Sequence, residues 1–235
     1  HTLLRGLDGY LYLVSGDGGG TGDRKHITAE SSPVLFERAA SVFRFDPAGE
    51  KWECIGSGGR NPPSLGMNYL GEFFSFDSDM EFHVDVPFYR PVRLHHWATG
   101  GDQGWQGVGA YPKYYLDNLP GVLDVGRGSP DWGIFYEHNQ FPGVFRDSFL
   151  ACDYQWKSAT TGGYAKPGRL LMFSLAREKA TWKAELITVA QPKKGAVDAN
   201  GKRINFGVVD VDVAPDGSLV VSDHNQGIWR IFHAK

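Results

Sequence analysis

A turn containing glycine that leads into a short apolar strand recurs along this sequence of 235 residues. It occurs as Asp8-Gly9 before residues 10–14, as Gly71 before residues 73–76, and as Asp216-Gly217 before residues 219–221. Asp and Gly tolerate the positive φ of a tight turn, so each pair predicts a turn between strands. A unit that repeats in this way is typical of a propeller, because a sandwich has no internal repeat.

Partner strands accompany these units. Residues 41–45 alternate in polarity, turn at residues 46–49 and return through residues 52–55, which predicts a hairpin. Further short strands are expected at residues 149–152, 170–173 and 227–231. The 31 glycines and 13 prolines leave little room for long helices. We therefore predict an all-β chain, a single domain over residues 1–235, with roughly four blades of about four strands each.

Two long stretches interrupt the repeat. Residues 85–129 are rich in aromatic residues and glycine, and a long irregular loop in a compact domain is more often functional than accidental. Residues 191–206, with Lys193-Lys194 and Lys202-Arg203, are expected to form an exposed excursion. Both stretches are predicted to lack regular strands.

The charge and the cysteines limit the class of partner. The net charge is -3 and no basic run is longer than Lys193-Lys194, so the sequence offers no footprint for nucleic acid or an anionic membrane. No apolar stretch approaches the ~20 residues that span a bilayer. Cys54 and Cys152 lack metal-site spacing and are either a disulfide or two buried thiols. A small, weakly charged ligand fits best.

The stretch from Ser41 to Glu81 carries the most specific motifs, with the turn Arg60-Asn61-Pro62 at its centre. It resembles the glucose/sorbosone dehydrogenase family, in which an Arg-Asn-Pro turn joins two blades. Residues 129–133, 149–153, 210–217 and 228–231 agree with the same pattern in order and spacing. Residues 77–81 and 87–93 are similar to a divergent branch of that family whose propeller is fused to cytochrome-like modules.

The resemblance implies a six-bladed propeller, of which this chain is a run of blades, with pyrroloquinoline quinone (PQQ) and a calcium ion at its central opening. It implies hydride transfer from a sugar or polyol to the quinone, in a periplasmic or secreted protein. Arg60 and Asn61 match the pair that approaches the quinone and the substrate. His1 lies near the position of the catalytic histidine, with a shorter spacing to Asp8. Alternatively, the Arg-Asn-Pro turn only joins two blades.

The sequence also departs from the family. Two arginines that hold the quinone carboxylates are replaced by Gly207 and Val209. Each lost charge-assisted hydrogen bond is worth roughly 1.5–3 kcal/mol. Either Arg93 or Lys113 substitutes as the cation, or the propeller binds a carbohydrate or a partner domain without catalysis. The carbonyl groups that bind calcium in the family align near Asp79, where the motif is changed.

Three carboxylates alternate at Asp77, Asp79 and Glu81. On an extended segment they point to the same side, where they repel each other unless a cation neutralises them. Calcium prefers such oxygen ligands, so a calcium site is one hypothesis. The other is a cluster paired with Arg90 and Arg93.

Two aromatic features lie in the first long stretch. His95 and His96 are adjacent, and neighbouring side chains on an extended chain point to opposite faces, which favours a structural role over a shared metal. Trp105 precedes a group of tyrosines and forms with them either a ligand-stacking wall or the core of the loop. The tyrosines are Tyr111, Tyr114 and Tyr115.

Overall fold

In the computed structural model, residues 2–17, 24–83, 86–87, 89–105, 117–154, 167–224 and 227–234 are described. His1, Lys113 and the tyrosines at 111, 114 and 115 lie outside these residues. The chain divides into two compact units, residues 1–127 and residues 128–235. The described residues form fifteen strands and two short 3-10 helices, and no described helix is long and apolar enough to cross a membrane.

The first unit contains two antiparallel sheets of four strands, each in chain order. The first sheet consists of β1 (Leu3–Arg5), β2 (Leu11–Val14), β3 (Ala40–Phe45) and β4 (Trp52–Gly59). The second consists of β5 (Gly66–Met67), β6 (Phe73–Asp77), β7 (Val92–Trp97) and β8 (Leu123–Gly126), with a 3-10 helix at Glu81–His83.

The second unit contains one sheet of four strands and one of three. The third sheet consists of β9 (Pro130–Tyr136), β10 (Ser148–Asp153), β11 (Arg169–Glu178) and β12 (Thr181–Ala190), with a 3-10 helix at Gly143–Phe145. The fourth consists of β13 (Val208–Val213), β14 (Leu219–Asp223) and β15 (Gly227–Ile231). All four sheets are meanders, which is the strand order of a propeller blade, and they confirm the all-β prediction.

The predicted turns occur where the sequence places them. Gly9, Gly71 and Gly217 have φ of 86, 80 and 81°, and each lies two residues before the first residue of the second strand of its sheet. The predicted hairpin over residues 41–55 is formed by β3 and β4. In these turns a side chain would force an L-residue into a strained conformation, which explains the glycines.

The prediction of a long irregular stretch over residues 85–129 is wrong, because β7 and β8 lie within it. β7 carries Arg93, His95 and His96, and a strand with three polar residues gives no apolar pattern. Strand β12 was also missed. Because its residues are largely exposed, this part of the sequence lacks the alternation of apolar and polar residues that marks a half-buried strand.

The core of each unit lies between its sheets. In the first unit, Val14 and Val42 from the first sheet pack with Phe73 and Trp97 from the second. In the second unit, Leu150 and Leu170 pack with Val211 and Val221. Cys54 and Cys152 are both free and buried, so the thiol alternative is confirmed.

Gly168 provides a test of packing in the second unit. A Cβ at this position would lie 1.8 Å from the backbone oxygen of Phe206, and the amide of Gly168 donates to the carbonyl of Asn205 at 2.9 Å. Gly168→Ala is expected to lower the free energy of unfolding by about 2–3 kcal/mol, because backbone cannot yield as a side chain does. Gly143→Ala, where nothing lies within 4 Å, is the matched control. Equal melting temperatures of the two variants would contradict the packing described here.

Candidate functional site

The turn at Arg60 and Asn61 follows β4 directly and is fixed by one carboxylate. The amide nitrogens of Arg60 and Asn61 donate to Asp77 Oδ2 and Oδ1, both at 2.7 Å. The amide of Ser78 also donates to Asp77 Oδ1, at 2.8 Å. Asp77 ends the second strand of the second sheet, so this sheet holds the turn that enters it. The backbone of the turn is therefore fixed without any use of the Arg60 side chain.

Asp77 is buried, and its charge is stabilised by its hydrogen bonds. Burial, the largest influence, raises the pKa of Asp77, but the hydrogen bond with His95 Nε2 at 3.1 Å and the two turn amides outweigh it and lower the pKa. Burial lowers the pKa of His95, against the effect of Asp77. A neutral His95 that donates from Nε2 to a charged Asp77 satisfies both shifts.

The Arg60 side chain is 18% exposed and has loose partners. Its Nη2 lies 3.8 Å from Glu81 Oε1, and its Nε lies 3.9 Å from Asp17 Oδ2. Nε is buried and makes no hydrogen bond to any described residue. The guanidinium carbon stands 5.9 Å from the centre of the Trp105 ring. Arg60 is thus placed by charge and by a ring face, with donors left for a ligand.

Trp105 is seated against β4 by backbone hydrogen bonds. Its amide donates to the carbonyl of Gly58 at 2.8 Å, and the amide of Gln103 donates to the carbonyl of Ser57 at 2.8 Å. Gly58 has a φ of 80°, and a Cβ there would lie 2.1 Å from a carboxylate oxygen of Asp102. Trp105 is 2% exposed and packs with Ala39 and Met80. Its ring therefore packs inside the protein beside Arg60, and Trp105 offers no exposed face on which a ligand could stack.

Asp79 is a buried carboxyl with a raised pKa. The hydroxyl of Tyr89 donates to Asp79 Oδ2. Burial, and then the charge of Glu81, raise the pKa of Asp79 to about 6, while Tyr89 and Arg60 act in the opposite direction. Burial and Asp79 also raise the pKa of Tyr89. Near neutral pH this carboxyl can gain or lose a proton.

The three predicted metal ligands are directed to different partners. Asp77 binds the turn and His95, Asp79 binds Tyr89, and Glu81 faces Arg60. Among the described residues, no group of three or more His, Cys, Asp or Glu side chains could hold a metal ion. The calcium site at these three residues and their pairing with Arg90 and Arg93 both stay predictions.

Arg93 is buried in the second sheet. Its side chain is 2% exposed, and its Nη2 lies 2.9 Å from Asp124 Oδ1, with which it forms an ion pair. Its role toward a quinone carboxylate stays a prediction. The adjacent histidines point to opposite faces, as predicted, since His95 contacts Asp77 while His96 Nε2 lies 3.6 Å from Glu72.

A feature that the sequence interpretation missed is a repeated use of aspartate. Asp77, Asp153 and Asp223 each end the second strand of a sheet and accept the amide of the loop that enters the same sheet. Asp153 accepts from Ser129 at 2.8 Å and Asp223 from Gly207 at 3.1 Å. Each carboxylate thereby joins the entry of its sheet to the middle of that sheet.

A signal for these aspartates was present in the sequence. Each follows a turn residue of positive φ by six positions, since Gly71 precedes Asp77 and Gly217 precedes Asp223 at that spacing. Asp147, with a φ of 60°, precedes Asp153 by the same interval. Aspartate tolerates this conformation better than most residues. A search for glycine turns alone therefore misses the turn at Asp147.

The positions that align with the quinone-binding arginines carry no cation. The amide of Gly207 is already bound to Asp223, and Val209 is a partly buried residue of β13. Gly207 and Val209 do not fit a quinone held through its carboxylates in the manner of the family.

Several solved structures are similar to this chain in fold. An oxidoreductase (glucose dehydrogenase) from Thermus thermophilus is 20% identical over 97% of this chain and 64% of its own, with a TM-score of 0.58. A PQQ-bound aldose sugar dehydrogenase from Streptomyces coelicolor is 14% identical over 98% of this chain and 59% of its own, with a TM-score of 0.57. The chain has the β-propeller fold of the quinoprotein sugar dehydrogenases, present here as roughly four blades. A calcium structure of a Trichoderma reesei carbohydrate-active enzyme is similar too, with 14% identity over 100% of this chain and 68% of its own and a TM-score of 0.60.

The chain spans less than two thirds of the length of the first of these structures. No protein-family model matches the sequence. No curated protein matches it either. The likeness lies in the fold, and function has to be argued from the site.

Asp77→Asn is expected to lower the free energy of unfolding by about 3 kcal/mol, because it replaces the buried charge that accepts the turn amides. Hydrogen exchange at the Arg60 and Asn61 amides should accelerate while the rest of the unit stays protected. Asp223→Asn is the matched control, since it removes the same device and should expose the Gly207 amide instead. Unchanged exchange at Arg60 in Asp77→Asn would show that the carboxylate does not hold the turn.

Asp79→Asn tests the raised pKa. A carboxyl whose pKa rises from 3.8 to about 6 on folding contributes stability below pH 3.8 and loses it as the pH rises through 6. Removal of the charge should therefore make the variant about 2–3 kcal/mol more stable than the wild type at pH 8, with no difference below pH 4. Denaturant unfolding at several pH values measures this, and a variant less stable at pH 8 would refute the assignment.

Proposed function

We propose that this protein binds a sugar or another polyol at the Arg60–Asn61 turn, as a propeller of the sugar dehydrogenase type. The observation that carries the proposal is the state of Arg60. Its backbone is fixed by Asp77, its guanidinium lies over Trp105, and its Nε has no hydrogen-bond partner among the described residues. The ion pairs of the Arg60 side chain with Asp17 and Glu81 are long, at 3.9 and 3.8 Å, so its partly exposed guanidinium keeps donors that a ligand can use.

The groups around Arg60 match the chemistry of hydroxyl groups. A hydroxyl both donates and accepts, and it is best bound where a donor and an acceptor stand side by side. The planar guanidinium offers two donors to neighbouring hydroxyls, and the half-exposed Glu81 carboxylate, 3.8 Å from Arg60, offers the acceptor. Because Arg60 is flanked by the carboxylates of Glu81 and Asp17, the site has no excess of positive charge and favours a neutral polyol over an anion.

Oxidation of the bound polyol is the second candidate function. It is supported by the likeness in fold to a PQQ-bound aldose sugar dehydrogenase and by the Arg-Asn turn. When bound, PQQ would accept a hydride from the sugar. Gly207 and Val209 provide no cation for it, so a quinone would need partners other than the described residues. An extracytoplasmic location and transfer of electrons to a cytochrome module belong to this candidate, as does His1 as the base.

Titration calorimetry of the full-length protein with glucose, sorbitol and related polyols tests the binding proposal. Arg60→Gln is expected to weaken binding tenfold or more, since roughly 1.5–3 kcal/mol of charged hydrogen bonding is lost. Arg5→Gln removes the same charge from the exposed first strand of the same unit and should bind normally. Equal affinity in Arg60→Gln and in the wild type would remove Arg60 from the site.

A separate experiment decides between binding and oxidation. The full-length protein is mixed with PQQ and Ca²⁺ and desalted, and the retained quinone absorbance is measured before and after addition of the bound polyol. Retention followed by bleaching supports the dehydrogenase. Polyol binding without retention supports a binding propeller.

Thermal unfolding with added Ca²⁺ tests the predicted metal ligands, because a site specific for the folded state raises the melting temperature, and Asp79→Asn should abolish the shift.

A further inference from the structure

The second unit contains a groove of about 290 Å³ that lies outside the Arg60 site. Its walls come from the end of β12, from the excursion over residues 191–206, and from β15. The excursion is held by a bridge between Val197 and Arg203 and by the amide of Ile204, which donates to the carbonyl of Ala196 at 2.9 Å. The groove has the size of a small-molecule pocket near the lower end of the usual range.

The lining of the groove is apolar apart from Gln191 and Lys193. In its apolar part, Phe206 and Trp229 meet edge to face, with ring centres 6.1 Å apart. Pro192 and Ile231 extend the apolar wall. A ligand rich in hydroxyl groups would lose its hydrogen bonds against these side chains, so the groove does not suit the polyol proposed for Arg60.

Phe206 has an unusual backbone conformation that shapes this groove. Its φ is 50°, which is costly for a bulky residue and is an outlier when found. Gly168 makes the conformation possible, because any larger residue would collide with the Phe206 carbonyl. Strain that a neighbouring glycine permits is a mark of a built site rather than of a surface accident.

The charge at the groove comes from the excursion. Lys193 is the one charged residue among the described residues that line the groove, and it is exposed. Residues 191–206 carry Lys193, Lys194, Lys202 and Arg203 against the single carboxylate of Asp198, whereas the whole chain has a net charge of -3. The mouth of an apolar groove is therefore locally cationic in an acidic protein.

We propose that this groove binds a small anionic amphiphile, an alkyl carboxylate whose chain lies against Phe206 and Trp229 and whose carboxylate faces Lys193. The apolar walls supply most of the affinity by removing the chain from water. Lys193 adds a modest attraction at the exposed mouth and gives the ligand its orientation. The site is independent of Arg60 and of any quinone.

The experiment uses octanoate and its neutral analogue octanol, measured by titration calorimetry on the full-length protein. Lys193→Gln is expected to weaken octanoate binding about three- to fivefold, the range of an exposed ion pair, and to leave octanol binding unchanged. Lys194→Gln is the matched control, because it removes the same charge from the adjacent residue, which does not line the groove. Ala196→Trp should fill the groove and abolish the binding of both ligands.

Three results would overturn the proposal. Octanoate that fails to bind at millimolar concentration would mean that the groove has another occupant, such as a further segment of the protein. Equal weakening by Lys193→Gln and Lys194→Gln would reduce the effect to the general charge of the excursion. Full binding in Ala196→Trp, with the variant shown to be folded by its melting temperature, would place the ligand elsewhere.

Discussion

A buried carboxylate that accepts the amides of the entering loop is the interaction on which each of three sheets depends. A buried charge is costly in the interior, and it is tolerated only when its hydrogen bonds are complete. Asp77 accepts three amide hydrogens and one from His95, which is close to what two carboxylate oxygens can take. The hydrogen bonds that compensate for the burial of the charge also fix the loop, because only one backbone geometry brings the amides to the oxygens.

Asp153 and Asp223 show that the device tolerates different surroundings. The guanidinium of Arg169 binds Asp153, and the indole of Trp229 donates to Asp223 at 2.9 Å, where Asp77 has a neutral imidazole. The side-chain partner of the equivalent carboxylate is thus a cation in one sheet, an indole N–H in another and a histidine in the third. The constant part is the contact with the backbone, and the side-chain partner varies with the space that the third strand of each sheet offers.

The sequence allowed the sheets to be predicted more fully than the site. Turns at Gly9, Gly71 and Gly217 can be predicted because positive φ favours glycine, and this preference is local. Strand β7 was hidden, because its polar residues are buried through partners on β6 and β8 that no local pattern reveals. The carboxylates at 77, 79 and 81 alternate as ligands on one strand would, yet β6 ends at Asp77 and a 3-10 helix begins at Glu81, so the three residues do not share a strand. Pairing and curvature are set by tertiary structure, and spacing alone does not contain them.

The loops at the entrances of these sheets are fixed through main-chain amides, so the side chains of these residues are not needed to hold the loop backbone. Arg60 and Gly207 occupy corresponding places in two sheets, one with a long cation and one with no side chain at all, and both amides meet the same kind of carboxylate. Evolution can therefore exchange the residue at such a position at little cost to folding. A scaffold built in this way can lose one ligand and acquire another while its backbone stays unchanged.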